Sequence, residues 1–149
     1  MSDIINLKPE AVWRFFDEIT RIPRPSKKEE KIVAYLIDFA KSRSLEYRKD
    51  STGNVVIRKG ASPGMENRPV VVLQSHVDMV CEKRGDVNFH FDTDPIRTRV
   101  EDGWVRAEGT TLGADCGIGM AAELAVLDAD DLAHGPVECL FTVDEETGL

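Results

Sequence analysis

Val70-Val71-Val72-Leu73-Gln74-Ser75-His76-Val77-Asp78 begins as an unbroken apolar run and ends on an imidazole and a carboxylate. The run follows a Pro- and Gly-containing loop, residues 61–69. A short, continuous apolar segment of this kind suits a central strand covered on both faces. The polar residues sit just past its carboxyl end, which is where ligands bind in α/β sheets. One stretch therefore predicts both a sheet and a site at the sheet's edge.

Two other segments share that design. Val137-Glu138-Cys139-Leu140-Phe141-Thr142-Val143 reads as a second buried strand and leads into Asp144-Glu145-Glu146-Thr147-Gly148. Gly113-Ala114-Asp115 forms a Gly-flanked loop before a helix over 117–129, rich in Ala, Met and Leu. If the two strands run parallel, His76 and Asp78, Asp115, and Glu145 and Glu146 converge on one edge of the sheet.

The remaining elements follow from spacing and breakers. Pro9 suits the first turn of a helix, and Val12, Trp13, Phe16 and Ile19 predict that helix over 9–20. Ile22-Pro23-Arg24-Pro25 breaks it. Ser26 with Glu29 three residues on forms a capping-box pattern for a second helix, ending near Ser44. Residues 45–50 and 54–59 read as a hairpin around Ser51-Thr52-Gly53, and 96–101 with 104–108 as another around Asp102-Gly103. The expected fold is α/β, a mixed sheet between helices, with no internal repeat and no domain boundary.

Composition narrows the function. A chain of 149 residues with formal charge −8 lacks the basic face that phosphate binding requires, so nucleic acid is not an expected partner. No apolar run approaches the roughly 20 residues of a membrane span, and the start, Met1-Ser2-Asp3-Ile4-Ile5-Asn6, has no signal-peptide pattern. A cytoplasmic location without membrane partners is the default expectation. Cys81, Cys116 and Cys139 form no Cys-x-x-Cys pair, which predicts reduced thiols. The chain stops just after an apolar strand, whereas domains tend to end on frayed polar segments; a longer reading frame is expected.

The chemistry-bearing residues admit bland and sharp readings. His76 could be a satisfied core histidine, Asp115 a helix cap, and Glu145-Glu146 a solvated acidic turn. In the sharp reading His76 offers one ring nitrogen to a metal, while Asp78 accepts a hydrogen bond from the other and fixes the tautomer. Asp115 could bridge two cations, and Glu146 could ligate one. Glu145 would point elsewhere and stay free to take a proton from water. The three segments together favour a site.

Competing motifs are weaker. Gly117-Ile118-Gly119-Met120-Ala121-Ala122 fits a loose nucleotide fingerprint, but Thr110–Asp115 is a poor strand and Asp115 would repel a pyrophosphate. Carboxylate charge beside Cys116 would raise its thiol pKa, against a nucleophilic role. Cys81 and Cys139 read as buried small hydrophobes. His90 is expected to pack in a hairpin, His134 to lie in a surface turn, and Lys27-Lys28-Glu29-Glu30-Lys31 to form a solvated helix face.

Leu73–Val80, Thr110–Gly119 and Thr142–Gly148 resemble the metal-binding segments of the M20 metallopeptidases. Ile22–Ser26 and Asp50–Val55 are similar to the family's branch of bacterial dipeptidases that cleave aminoacyl-histidine substrates. The resemblance implies two divalent ions, zinc with manganese or cobalt as alternatives. It implies His76 on one ion, Asp115 bridging both, Glu146 on the other, Asp78 orienting His76, and Glu145 as general base. It further implies a cis peptide at Asp115–Cys116, although Cys116 stands where relatives usually carry Asn or Asp.

By the same resemblance, residues 1–149 are part of a metallopeptidase catalytic domain. The rest of that domain, an inserted lid domain and further ligands would lie beyond Leu149. The complete protein would be a homodimer hydrolysing Xaa-His dipeptides; the 149 residues alone would bind metal weakly and turn over little or nothing. Another M20 aminopeptidase, an N-acyl amino acid deacylase, and a non-catalytic interaction fragment are the alternatives.

Overall fold

The computed structural model describes residues 3–148; Met1, Ser2 and Leu149, which figure in the expectations about the two ends, lie outside them. A short 3-10 turn, Asp3–Asn6, precedes helices α1 (Glu10–Thr20) and α2 (Glu30–Ser42). Strands β1 (Glu46–Lys49), β2 (Val55–Lys59) and β3 (Val71–His76) follow, then the hairpin β4 (Thr98–Glu101) and β5 (Trp104–Ala107). Helix α3 (Ala114–Asp128), strand β6 (Val137–Thr142) and a 3-10 turn, Glu145–Thr147, complete the order. Asp115 and Cys116 have non-helical dihedrals, so regular helix begins at Gly117, as the sequence predicts.

The main sheet has the order β1-β2-β6-β3 and is mixed. β1 and β2 form the expected antiparallel hairpin, and β2 pairs antiparallel with β6. β3 and β6 are parallel, with Ser75 opposite Phe141 and His76 opposite Thr142. The α/β class and the mixed sheet are as predicted.

One buried face explains the core. Val55 and Ile57 of β2 alternate inward with Val137, Cys139 and Phe141 of β6, the period of two that a pleated strand imposes. Phe15, Phe16 and Ile19 of α1, Leu36 and Phe39 of α2, and Met120, Ala121 and Leu124 of α3 close over them. Phe15 and Phe39 meet edge to face with centroids 5.6 Å apart, a favoured aromatic geometry.

Three local expectations are corrected. β3 is an edge strand among the described residues, and Val70, Val71 and Val72 are exposed rather than covered on both faces. Ser26 and Glu29 do not form a capping box: α2 starts at Glu30 without a side-chain cap, and Glu29 is buried, not part of a solvated face. Their side chains are claimed by more distant partners, described below. His90 is exposed in a turn rather than packed in a hairpin, with its backbone N–H donating to Asp94.

Candidate metal centre

The parallel β3–β6 pair sets the frame. The Val77 amide donates to Thr142 O at 2.8 Å, extending the pairing just past both strand ends. From there β3 delivers His76 and Asp78, and β6 delivers Glu145 and Glu146. α3, the connection between them, brings Asp115 at its mouth. All five predicted residues gather at this carboxyl edge, where a crevice forms in such sheets.

The donors aim at a common space. His76 Nε2 lies 3.0 Å from Asp115 Oδ1 and 3.8 Å from Glu145 Oε2. Donor atoms of His76, Asp115 and Cys116 fall within 4.8 Å of one another, as do those of His76, Glu145 and Glu146. The imidazole is nearly buried, whereas the Asp115 side chain is 87% exposed and turned to open space. Glu145 does not point away as the sequence reading expects: both carboxylates of the pair face His76. The peptide Asp115–Cys116 is cis.

Asp78 organises this edge. It is 0% exposed, and the amides of Glu145 and Glu146 donate to its Oδ1 and Oδ2, each at 3.1 Å. The Ser26 hydroxyl donates to Oδ2 at 2.7 Å. His76 Nδ1 lies 3.1 Å from the Asp78 carbonyl oxygen and 3.3 Å from Oδ1, so Asp78 faces the imidazole through both backbone and carboxylate. Burial alone would raise the Asp78 pKa, but the hydrogen bonds from Ser26, Glu146 and Glu145 outweigh it and hold the group below the ordinary aspartate value.

Two residues that sequence reasoning missed stand behind Asp78. Arg24 is 2% exposed. Its Nη1 donates to the carbonyls of Val77 at 2.9 Å and Asp78 at 3.1 Å, and its Nη2 to Gly113 O at 2.5 Å. One guanidinium thereby ties the His76–Asp78 turn to the Asp115 loop. Burial lowers its pKa from 12.5 to about 10, offset in part by the Asp78 carboxylate, so it stays charged at neutral pH. Gly113 and Gly117 admit this contact: a Cβ on either would lie within 3 Å of Arg24 Nη2. Glu29 is the second; it accepts the Asp144 amide at 3.0 Å and anchors the turn that carries Glu145 and Glu146.

The available signal was the Ile22-Pro23-Arg24-Pro25-Ser26 segment itself. Two prolines fix an extended path, and that path runs beside 77–79, with a parallel bridge between Pro25 and Met79.

The sequence profile described as peptidase family M20/M25/M40 matches residues 72–149, just over half of the chain. This chain belongs to that family. It is 47% identical over all 149 residues to the cytosol non-specific dipeptidase of Escherichia coli, covering 31% of that protein. The aminoacylhistidine dipeptidase structure from Vibrio alginolyticus superposes with a TM-score of 0.96 at 51% identity, over 99% of this chain and 30% of that one. Aminopeptidase PepT from Bacillus cereus gives 0.73 at 25% identity, over 93% and 37%. The chain thus spans about a third of the length of these M20 relatives.

The remaining competing readings fall away on geometry. No strand runs directly into Gly117–Gly119, so the nucleotide fingerprint has no structural context. Burial, with the Asp115 carboxylate adding to it, pushes the Cys116 thiol up, against a free nucleophile. All three cysteines are unpaired, as predicted. Cys139 is buried, but Cys81 is only half-buried, contrary to expectation. No helix of the described residues is long and apolar enough to cross a membrane.

Proposed function

We propose that this protein is a two-metal dipeptidase that hydrolyses unblocked dipeptides, with histidine preferred in the second position. The convergence of His76, Asp115, Glu145 and Glu146 beyond the parallel β3–β6 pair carries the reading. The donor set suits divalent ions: one imidazole and three carboxylates, with a carboxylate placed to hold the imidazole's tautomer. His76 would bind one ion, Asp115 would bridge both, and Glu146 would bind the other. Zinc fits this mixture, and manganese or cobalt would also be accepted. When bound, the ions supply Lewis-acid polarisation of the scissile carbonyl and make water acidic enough to attack at neutral pH.

The chain's own residues do the rest. Glu145 takes a proton from the attacking water as its oxygen bonds to the carbonyl carbon. Glu145 then returns that proton to the amine as the C–N bond breaks. Asp78 keeps His76 oriented and, through the amides of Glu145 and Glu146, holds the base and a ligand in register. Among the described residues the donors are too few for two zinc sites of three protein ligands each. These residues alone would therefore hold zinc weakly and turn over little peptide.

Dipeptide specificity is supported by the names of the Escherichia coli and Vibrio alginolyticus relatives, and an aminopeptidase reading by the PepT likeness. A cytoplasmic homodimer, acting on peptides and neither nucleic acid nor membrane, completes the proposal. In the full-length protein Glu145→Gln tests it: turnover of an Xaa-His dipeptide should fall at least a hundredfold while the metal content stays unchanged. Full activity in that variant would sink the general-base assignment. A panel of Xaa-His, tripeptide and N-acyl substrates separates the dipeptidase from an aminopeptidase or deacylase.

A further inference from the structure

Cys116 lies beside the proposed bridging residue, and nothing in the scheme above uses it. Its sulfur falls within 4.8 Å of the donor atoms of both His76 and Asp115. Burial and the Asp115 carboxylate disfavour a free thiolate here, so only a bound cation would hold the sulfur deprotonated, and the groups around it leave room for one. The backbone N–H groups of His76 and Gly119 face it. The Arg24 guanidinium lies within electrostatic reach, and the regular part of α3 begins at the next residue, presenting its positive dipole end. Space is reserved as well: a Cβ on Gly119 would come within 2.7 Å of the Cys116 sulfur. Binding of a thiophilic cation releases the thiol proton to solvent as the metal–sulfur bond forms.

We propose that Cys116 is a metal ligand in this protein, joining His76 and Asp115 on one ion and biasing the centre toward zinc-like cations over manganese. The inference rests on the metal-centre reading and deepens it. Soft thiolate donors select zinc and cobalt, whereas manganese suits all-oxygen surroundings.

Cobalt titration tests both layers. With Co2+ in excess, visible d–d absorption reports binding, and a near-ultraviolet thiolate-to-cobalt charge-transfer band reports sulfur ligation. The expected result is both signals in the native protein and in Cys81→Ser. In Cys116→Ser the charge-transfer band should be lost while d–d absorption persists, and the preference for Zn2+ over Mn2+ should narrow. Visible bands without a charge-transfer band in the native protein overturn the role of Cys116 alone. A band that survives in Cys116→Ser does the same. No cobalt spectrum at all overturns the metal-centre reading together with this inference. If Cys116→Ser does not fold, Cys116→Asn replaces it, and alkylation of the native protein gives an independent readout. Zinc should protect Cys116 from iodoacetamide, as located by peptide mass spectrometry, and equal labelling with and without zinc counts against ligation.

Discussion

Glu123 offers a test of how the floor beneath the site is held. It sits on the inward face of α3, 3% exposed, and its Oε2 has no hydrogen-bond partner among the described residues. Burial raises its pKa from 4.5 to about 7. The Ser75 hydroxyl and Cys139 thiol lie near enough to favour the carboxylate slightly, but they do not reverse the shift. Between pH 4.5 and about 7 the folded state keeps a proton that the unfolded chain has released. Stability therefore falls as pH rises through that window and levels off above it. A displacement from 4.5 to about 7, at 1.36 kcal/mol per unit, corresponds to about 3 kcal/mol.

Glu123→Gln removes the titration and keeps the shape. Reversible urea denaturation of the metal-free protein and this variant, at pH 4.5, 6 and 8, isolates the effect. Any constant cost of burying the amide cancels in the pH dependence of the difference. The variant should gain on the native protein progressively, by about 3 kcal/mol between pH 4.5 and 8. A difference that stays flat across this range would refute the claim that Glu123 is buried and neutral near pH 6.

Arg24→Ala should destabilise the fold by about 3 kcal/mol or more, because two buried carbonyls and one half-buried carbonyl lose their donor and a cavity remains; thermal denaturation reads the loss. Asp78→Ala should lower metal affinity about 10–100-fold, the range for removing a group that orients a ligating histidine, measured by zinc calorimetry. Binding unchanged from native would mean that Asp78 does not position His76. Ser26→Ala leaves Asp78 with its two amide donors, so it should cost only about 1 kcal/mol and shift the acid limb of unfolding slightly upward. An acid-unfolding midpoint equal to that of the native protein would discount that hydrogen bond.

Much of this arrangement was legible because it depends on order along the chain and on strand ends. An apolar run followed by His76-Val77-Asp78, and another followed by Glu145-Glu146, place their polar groups at one sheet edge once the strands are parallel. Elements whose partners are distant were less legible. Ser26 and Glu29 stand at capping-box spacing, yet Ser26 serves Asp78 and Glu29 serves Asp144, because buried groups at the site compete better for them than a helix end in water. Val70–Val72 read as covered on both faces because periodicity records hydrophobicity, not sheet position, and β3 is an edge here. Arg24 gave no local sign of burial. Its role depends on three carbonyls from turns more than fifty residues away.

The central claim is that two divalent ions share Asp115 between His76 and Glu146. Anomalous diffraction at the zinc edge, from crystals of the zinc-loaded full-length protein, addresses it directly. Two peaks within bonding distance of Asp115, one on His76 and the other on Glu146, are the predicted result. Zinc peaks that leave these side chains uncoordinated in an intact fold would contradict it.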